Sequence, residues 1–317
     1  MQGKLRIAYF FIDLVFPLCL GSLLRRRARI DQRVFERVMV FDLMTLITSL
    51  GLLSFWVMKL KPSLVWVPFL GAFTQIVPGL AGRFRAASTY DCPLAQGSFV
   101  LSTMLSNRGT AGSITVFILF GEQGFALSRL FIAFSFLVVY LVCYPVADAY
   151  YQRHGGESSQ AGFSWRSFFS WKQIPLLGVI VGFALNISRI PRPEFLGDVF
   201  PWILHLSAWG FLVPVGYAID LKGMRKVSHD WWGLFTIKFL LTPALAYAAG
   251  ALVGLDGVPL YTIVILSFSP TAIQSVVVAR INHLDMNVVL AAFVVTMVFY
   301  LIVCVPTILL FVTLVLG

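Results

Sequence analysis

The stretch Ser98–Gly121, SFVLSTMLSNRGTAGSITVFILFG, constrains this chain more than any other. It is long and apolar enough to cross a bilayer, yet its middle holds Asn107, Arg108, Gly109, Thr110 and Gly112. An arginine at mid-membrane costs about 2.5–3.5 kcal/mol on insertion scales. Glycines loosen the helix where its backbone must also stay hydrogen-bonded. A broken helix resolves the conflict, with the interrupted centre lining a protein cavity and its polar residues forming a binding site. Leu260–Arg280, LYTIVILSFSPTAIQSVVVAR, has the same character. Pro270 removes a backbone donor there, and Gln274 follows one turn later. One interrupted span in each half points to a transporter built from inverted repeats.

The rest of the chain agrees with a polytopic membrane protein. Hydrophobic residues make up 59% and charged residues 12%, a balance foreign to soluble domains. The 24 Lys and Arg outnumber the 14 Asp and Glu, but most sit in short loops between apolar runs, so no nucleic acid partner is expected. Cys19, Cys92, Cys143 and Cys304 are far apart with no CxxC, and those in apolar runs read as buried thiols. The histidines have no metal-ligand spacing, and GxSxG, HExxH and P-loop motifs are absent, so neither metal, cofactor nor enzyme chemistry is expected.

Ten apolar runs stand at about 5–24, 36–58, 64–82, 97–120, 128–150, 173–188, 200–220, 231–253, 260–280 and 287–315. At ~1.5 Å per residue, most can cross ~30 Å of hydrocarbon. Arg25, Arg26 and Arg27 act as a stop-transfer signal after the first run, which has no cleavage site. The polar loop Gln152–Trp171 divides the chain into a five-span repeat over 1–150 and another over 173–317, joined by 151–172. An odd number of spans per half inverts the second half relative to the first. With the N-terminus outside, 15 Lys and Arg fall in cytoplasmic loops and 7 outside, which places both termini outside a plasma or inner membrane.

Arg108 and Lys238 lie within the membrane runs. Asn107 offers a donor and an acceptor, and Arg108 a planar fork for a carboxylate. The bare N–H groups near Thr110 and Gly112 add the positive end of a half-helix. The competing reading has Arg108 snorkelling or paired with a structural carboxylate. Pro270 and Gln274 are the second-half partners, against a simple proline kink. Gln75 stands just before Pro78 and lines the same cavity or makes an interhelical hydrogen bond. Lys238 pairs with a carboxylate, titrates, replaces a metal cation, or snorkels. Asp13 is a candidate proton site, while Asp220 reads as interfacial. Gly178 and Gly182 form a GxxxG whose default role is helix packing, and Asn186-Ile-Ser188 is a sequon on the expected outer side.

NRGTAGSITVFILFGEQG resembles the fourth-helix signature of the auxin efflux carrier family, with Asn107, Gly109, Gly112, Phe120 and Gly121 on its positions. LVFPLCLGSLLRRRARID resembles the family's first helix, FTIKFLLTPALA its eighth and SPTAIQSVVVARINHLD its ninth. Ile114 stands where the family usually has proline, and Gln274 where it often has asparagine. The resemblance implies ten transmembrane helices in two inverted five-helix repeats. Helices 1, 2, 6 and 7 would form a scaffold, helices 3–5 and 8–10 a transport domain, and broken helices 4 and 9 would cross at the site. Bile-acid sodium symporters share this architecture, but their sodium site resembles a cluster with an acid in helix 9. Gln274 and no acid stands in that helix here.

The expectation is an all-α secondary transporter moving a small organic anion by alternating access. Its partners are that anion and the bilayer, with a homodimer through the scaffold helices left open. The alternatives are a sodium-coupled symporter of bile-acid type, or a non-transporting receptor or scaffold of the same fold. The charge bias makes one prediction about topology. A cysteine introduced by Ser159→Cys should be labelled by an impermeant maleimide only from the cytoplasmic side, and labelling from outside would reverse the orientation.

Overall fold

The computed structural model describes residues 8–27, 30–157, 174–218 and 230–315. Asp220, Ser159 and the end residues of the chain lie outside them, as does most of the Gln152–Trp171 loop. Among the described residues the chain is all helix with no strand. Seven segments are long and apolar enough to cross a membrane, the pattern of a multi-pass membrane protein.

Helix α1 covers Ala8–Arg27, α2 Arg33–Trp56 and α3 Pro62–Thr89. The short α4 is Pro93–Met104. The helical run Arg108–Arg153 follows, and it doubles back at Gly121. Gly121 has φ 63° and ψ −149°, outside the range an L side chain adopts without strain. Its limbs are α5 (108–120) and α6 (122–153). They run antiparallel, since the Ser113 and Ser128 hydroxyls meet at 2.8 Å and Arg129 donates to the Gly109 carbonyl. Two shorter or proline-bearing segments come next, α7 at Ile174–Ile187 and α8 at Glu194–Ala218. The chain then forms α9 at Trp231–Leu252, α10 at Gly257–Ser267, α11 at Ile273–Ile281 and α12 at Met286–Val312.

Two helix pairs flank the core, α1 against α8 and α2 against α7. Both are joined backbone to backbone. A Cβ on Gly178 or Gly182 would lie 2.3 Å from the Thr48 carbonyl oxygen or 2.2 Å from that of Leu52. A Cβ on Gly21 or Gly216 would lie 2.1 Å from the Val213 oxygen or 2.3 Å from that of Leu18. Small residues let helices approach where lipid supplies no hydrophobic drive between them. The main core gathers α3–α6 and α9–α12 around Phe99, Phe131, Val278, Phe293 and Tyr300, and Leu14 of α1 and Leu212 of α8 join it. A smaller cluster, with Leu50 of α2 and Leu204 of α8, joins the flanking pairs to it. There the Phe200 ring stacks on Phe117 at 5.6 Å and meets Phe125 edge-on at 5.7 Å.

Two readings of single residues change. Cys143 and Cys304 are buried, but Cys19 in the apolar α1 is exposed. The sequon residue Asn186 turns inward, where its Nδ2 donates to the carbonyls of Phe55, Trp56 and Met58 and closes the end of α2.

The close glycine contacts yield a stability prediction. Gly182→Val should cost about 1–3 kcal/mol by overpacking, read as a lower melting temperature in detergent. Val181→Ala, at an exposed neighbouring position, should leave it nearly unchanged.

Candidate functional site

Two interrupted helices meet at the centre of the core. Helix α4 ends at Met104, and Leu105 is already extended at φ −92° and ψ 116°. Helix α10 ends at Ser267, and Ala272 is extended at φ −80° and ψ 150° before α11 begins. The two breaks lie antiparallel, Ser106 opposite Thr271. The Asn107 amide donates to the Pro270 carbonyl at 2.7 Å, and the Ala272 amide donates to the Leu105 carbonyl at 3.0 Å. Each break therefore satisfies part of the other's bare backbone, as burial in an apolar core demands.

The first break falls at 105–107, ahead of the glycines expected to make it. Those glycines lie in a wide π-helical turn, Arg108–Gly112. Gly112 permits contact instead: a Cβ there would sit 2.4 Å from Ser269 Oγ and 3.0 Å from Leu266 Cδ2.

Arg108 is 1% exposed and reaches into α3. Its Nη1 donates to the Gly71 carbonyl at 2.8 Å and its Nη2 to the Thr74 carbonyl at 2.7 Å. Thr74 would ordinarily bond the amide four residues on, but that residue is Pro78, which has no N–H. Arg108 thus replaces the donor that Pro78 lacks. Its guanidinium also lies over the Phe131 ring, 4.9 Å from the centroid, and its Nε has no partner. This fork is occupied by backbone, which differs from the anion fork expected of it. Gln75, beside Thr74, donates to Ser135 Oγ at 3.1 Å, the interhelical bond weighed against a cavity role.

Lys238 is 1% exposed, which excludes snorkelling. Its Nζ donates to the Ser102 carbonyl at 3.0 Å, the Leu105 carbonyl at 3.2 Å and Ser106 Oγ at 2.9 Å. Thr110 donates to Asn107 Oδ1, while Asn107 Nδ2 is buried without a partner. Gln274, already in α11, is exposed. Asp13 is buried in α1 and pairs with His205 of α8, whose Nδ1 lies 2.7 Å from Oδ1.

The crossover opens onto a cleft toward α2 and α8. Gly109, Thr110, Ser113 and Ile114 line one wall, and Ile47, Leu50, Leu204 and Ser207 are on the other. The empty space in the cleft is about 260 Å³, part of it open to solvent, and little of it is wide enough for a water molecule. It therefore has room for about one water in this conformation. Arg129 of α6 donates through Nη2 to the Gly109 carbonyl and to Ser113 Oγ, and its Nε is buried without a partner. Asp42 of α2 is 1% exposed, lies near Ser207 and within electrostatic range of Arg129, and neither of its oxygens has a well-formed hydrogen bond.

Arg129, Asp42 and Ser207 are thus functional candidates that sequence reasoning missed. Asp42 carried a signal, as a lone acid inside an apolar run. Arg129 reads as a loop charge from the sequence, since nothing local shows that α6 starts just after Gly121 and carries it inward.

No known protein family matches the chain, and no characterised protein matches it. The geometry of Arg108 makes its own prediction. Arg108→Gln should lower thermal stability, since each charge-assisted hydrogen bond lost is worth about 1.5–3 kcal/mol. Pro78→Ala should recover part of that loss by returning an amide to Thr74. Additive losses in the double variant would mean the two residues are not coupled.

Proposed function

We propose that the chain is a secondary transporter of auxin-efflux-carrier type, moving a small organic anion by alternating access. In this reading ten membrane spans form two inverted five-helix repeats. Helices α4 with α5, and α10 with α11, are the two broken spans. Helices α1, α2, α7 and α8 are the scaffold, and the others move against it.

One observation carries the reading: buried donors without partners gather beside a cleft at the seam of the two groups of helices. Among the described residues they are Asn107 Nδ2 and Arg129 Nε, and Arg108 Nε is a further unpartnered donor. Buried polar groups are normally satisfied, so orphaned donors beside a cleft favour an acceptor that comes and goes. The guanidinium assigned to the anion is Arg129, because the fork of Arg108 is engaged by α3. A cleft with room for one water implies that this conformation is closed and that the anion enters as the seam opens.

The test uses purified protein and a panel of benzoate, indole-3-acetate, malate and taurocholate, each in sodium chloride and in choline chloride. At least one carboxylate should raise the melting temperature. Arg129→Gln should remain monodisperse on gel filtration and weaken that anion by about one to two decades. Unchanged affinity in the folded variant would remove Arg129 from the site. Absence of any carboxylate response would favour a receptor or scaffold, and a response in sodium alone would favour the symporter.

A further inference from the structure

The three oxygens around Lys238 Nζ belong to the carbonyls of Ser102 and Leu105 and the hydroxyl of Ser106. All are neutral, and two are backbone carbonyls at the C-terminal end of α4. That end carries the negative pole of the half-helix, and the extended residues that follow do not continue its ladder of amides. The same oxygens are held from the other break. Thr271 Oγ1 donates to the Ser102 carbonyl at 3.1 Å and the Ala272 amide donates to the Leu105 carbonyl at 3.0 Å. Among the described residues no carboxylate bonds the ammonium, and a second cation, Arg108, acts on it. Hard, neutral oxygens at the C-terminal end of an interrupted helix are what transporters offer to a monovalent cation.

We propose that Lys238 is a tethered cation: its ammonium fills a monovalent-cation site built by Ser102, Leu105 and Ser106, and makes the crossover independent of bound sodium. The positive charge that ties α9 to the end of α4 travels with the protein instead of being taken from solution. The consequence for coupling rests on the transport reading, whereas the existence of the site does not.

The experiment is a thermal melt of purified Lys238→Ala in choline chloride, titrated with sodium, potassium, ammonium or ethylammonium chloride. The emptied site should take up at least one of these cations. The melting temperature should then rise by about 3–6 °C for each tenfold in concentration above the dissociation constant. Lys238→Met, which fills the space with an apolar chain, should melt below wild type and show no such rise. Wild type should melt alike in all the salts. If Lys238→Ala yields no folded protein, Lys238→Gln takes its place, since a shorter neutral chain also removes the charge. A folded neutral variant that answers to no cation, or a wild type stabilised by sodium over choline, would overturn the proposal. Neither measurement uses a substrate, so a failure here is separate from a failure of the anion reading.

Discussion

Four half-helix ends meet inside one apolar core, and the peptide groups they leave bare must find partners there. Each unsatisfied group in such a medium costs several kcal/mol, which is more than any single apolar contact returns. The partners come from the breaks themselves, through the paired amides and carbonyls of 105–107 and 270–272. Two buried cations add to them: Lys238 closes the end of α4, and Arg108 bonds the carbonyl that Pro78 leaves bare in α3. Arg129 takes the Gly109 carbonyl. Among the described residues, the polar groups left over at the crossover include Asn107 Nδ2, Arg108 Nε, Ser269 Oγ and Arg129 Nε, and those on Asn107 and Arg129 define the candidate site.

The buried charges follow one pattern. Among the described residues Arg108 and Lys238 have no carboxylate bonded to them, and both are held by carbonyl dipoles. Burying a charge is unfavourable unless several oriented groups solvate it, and interrupted helices provide such groups. The proline and the arginine are therefore complementary parts, one in α3 and one in α5. Asp42 differs: among the described residues its oxygens have no well-formed hydrogen bond, although Ser207 and Arg129 lie near.

The all-helical, membrane-spanning character was legible because helix period and span length are local properties. The two interruptions were legible too, since Pro270 and the Asn107–Gly112 cluster are incompatible with plain helices. The position of the first break was not, because Leu105 and Ser106 are ordinary helix residues made extended by a partner more than 160 residues away. The target of Arg108 was likewise hidden: the carbonyl it serves is bare because of a proline thirty residues earlier. The pairing of Asp13 with His205, and the approach of Asp42 to Arg129, depend on how α1 and α2 lie against α8 and α6, which no local pattern encodes.

The inward turn of Asn186 bears on how the chain's sidedness can be mapped. Glycan transfer needs the side-chain nitrogen of the sequon asparagine as its nucleophile. Here that nitrogen is shared among three carbonyls at the end of α2. In the folded protein an acceptor so engaged offers no free N–H for transfer. Modification at Asn186 would have to precede the closing of that helix end and would compete with it, so a reporter sequon grafted elsewhere reads sidedness without that competition.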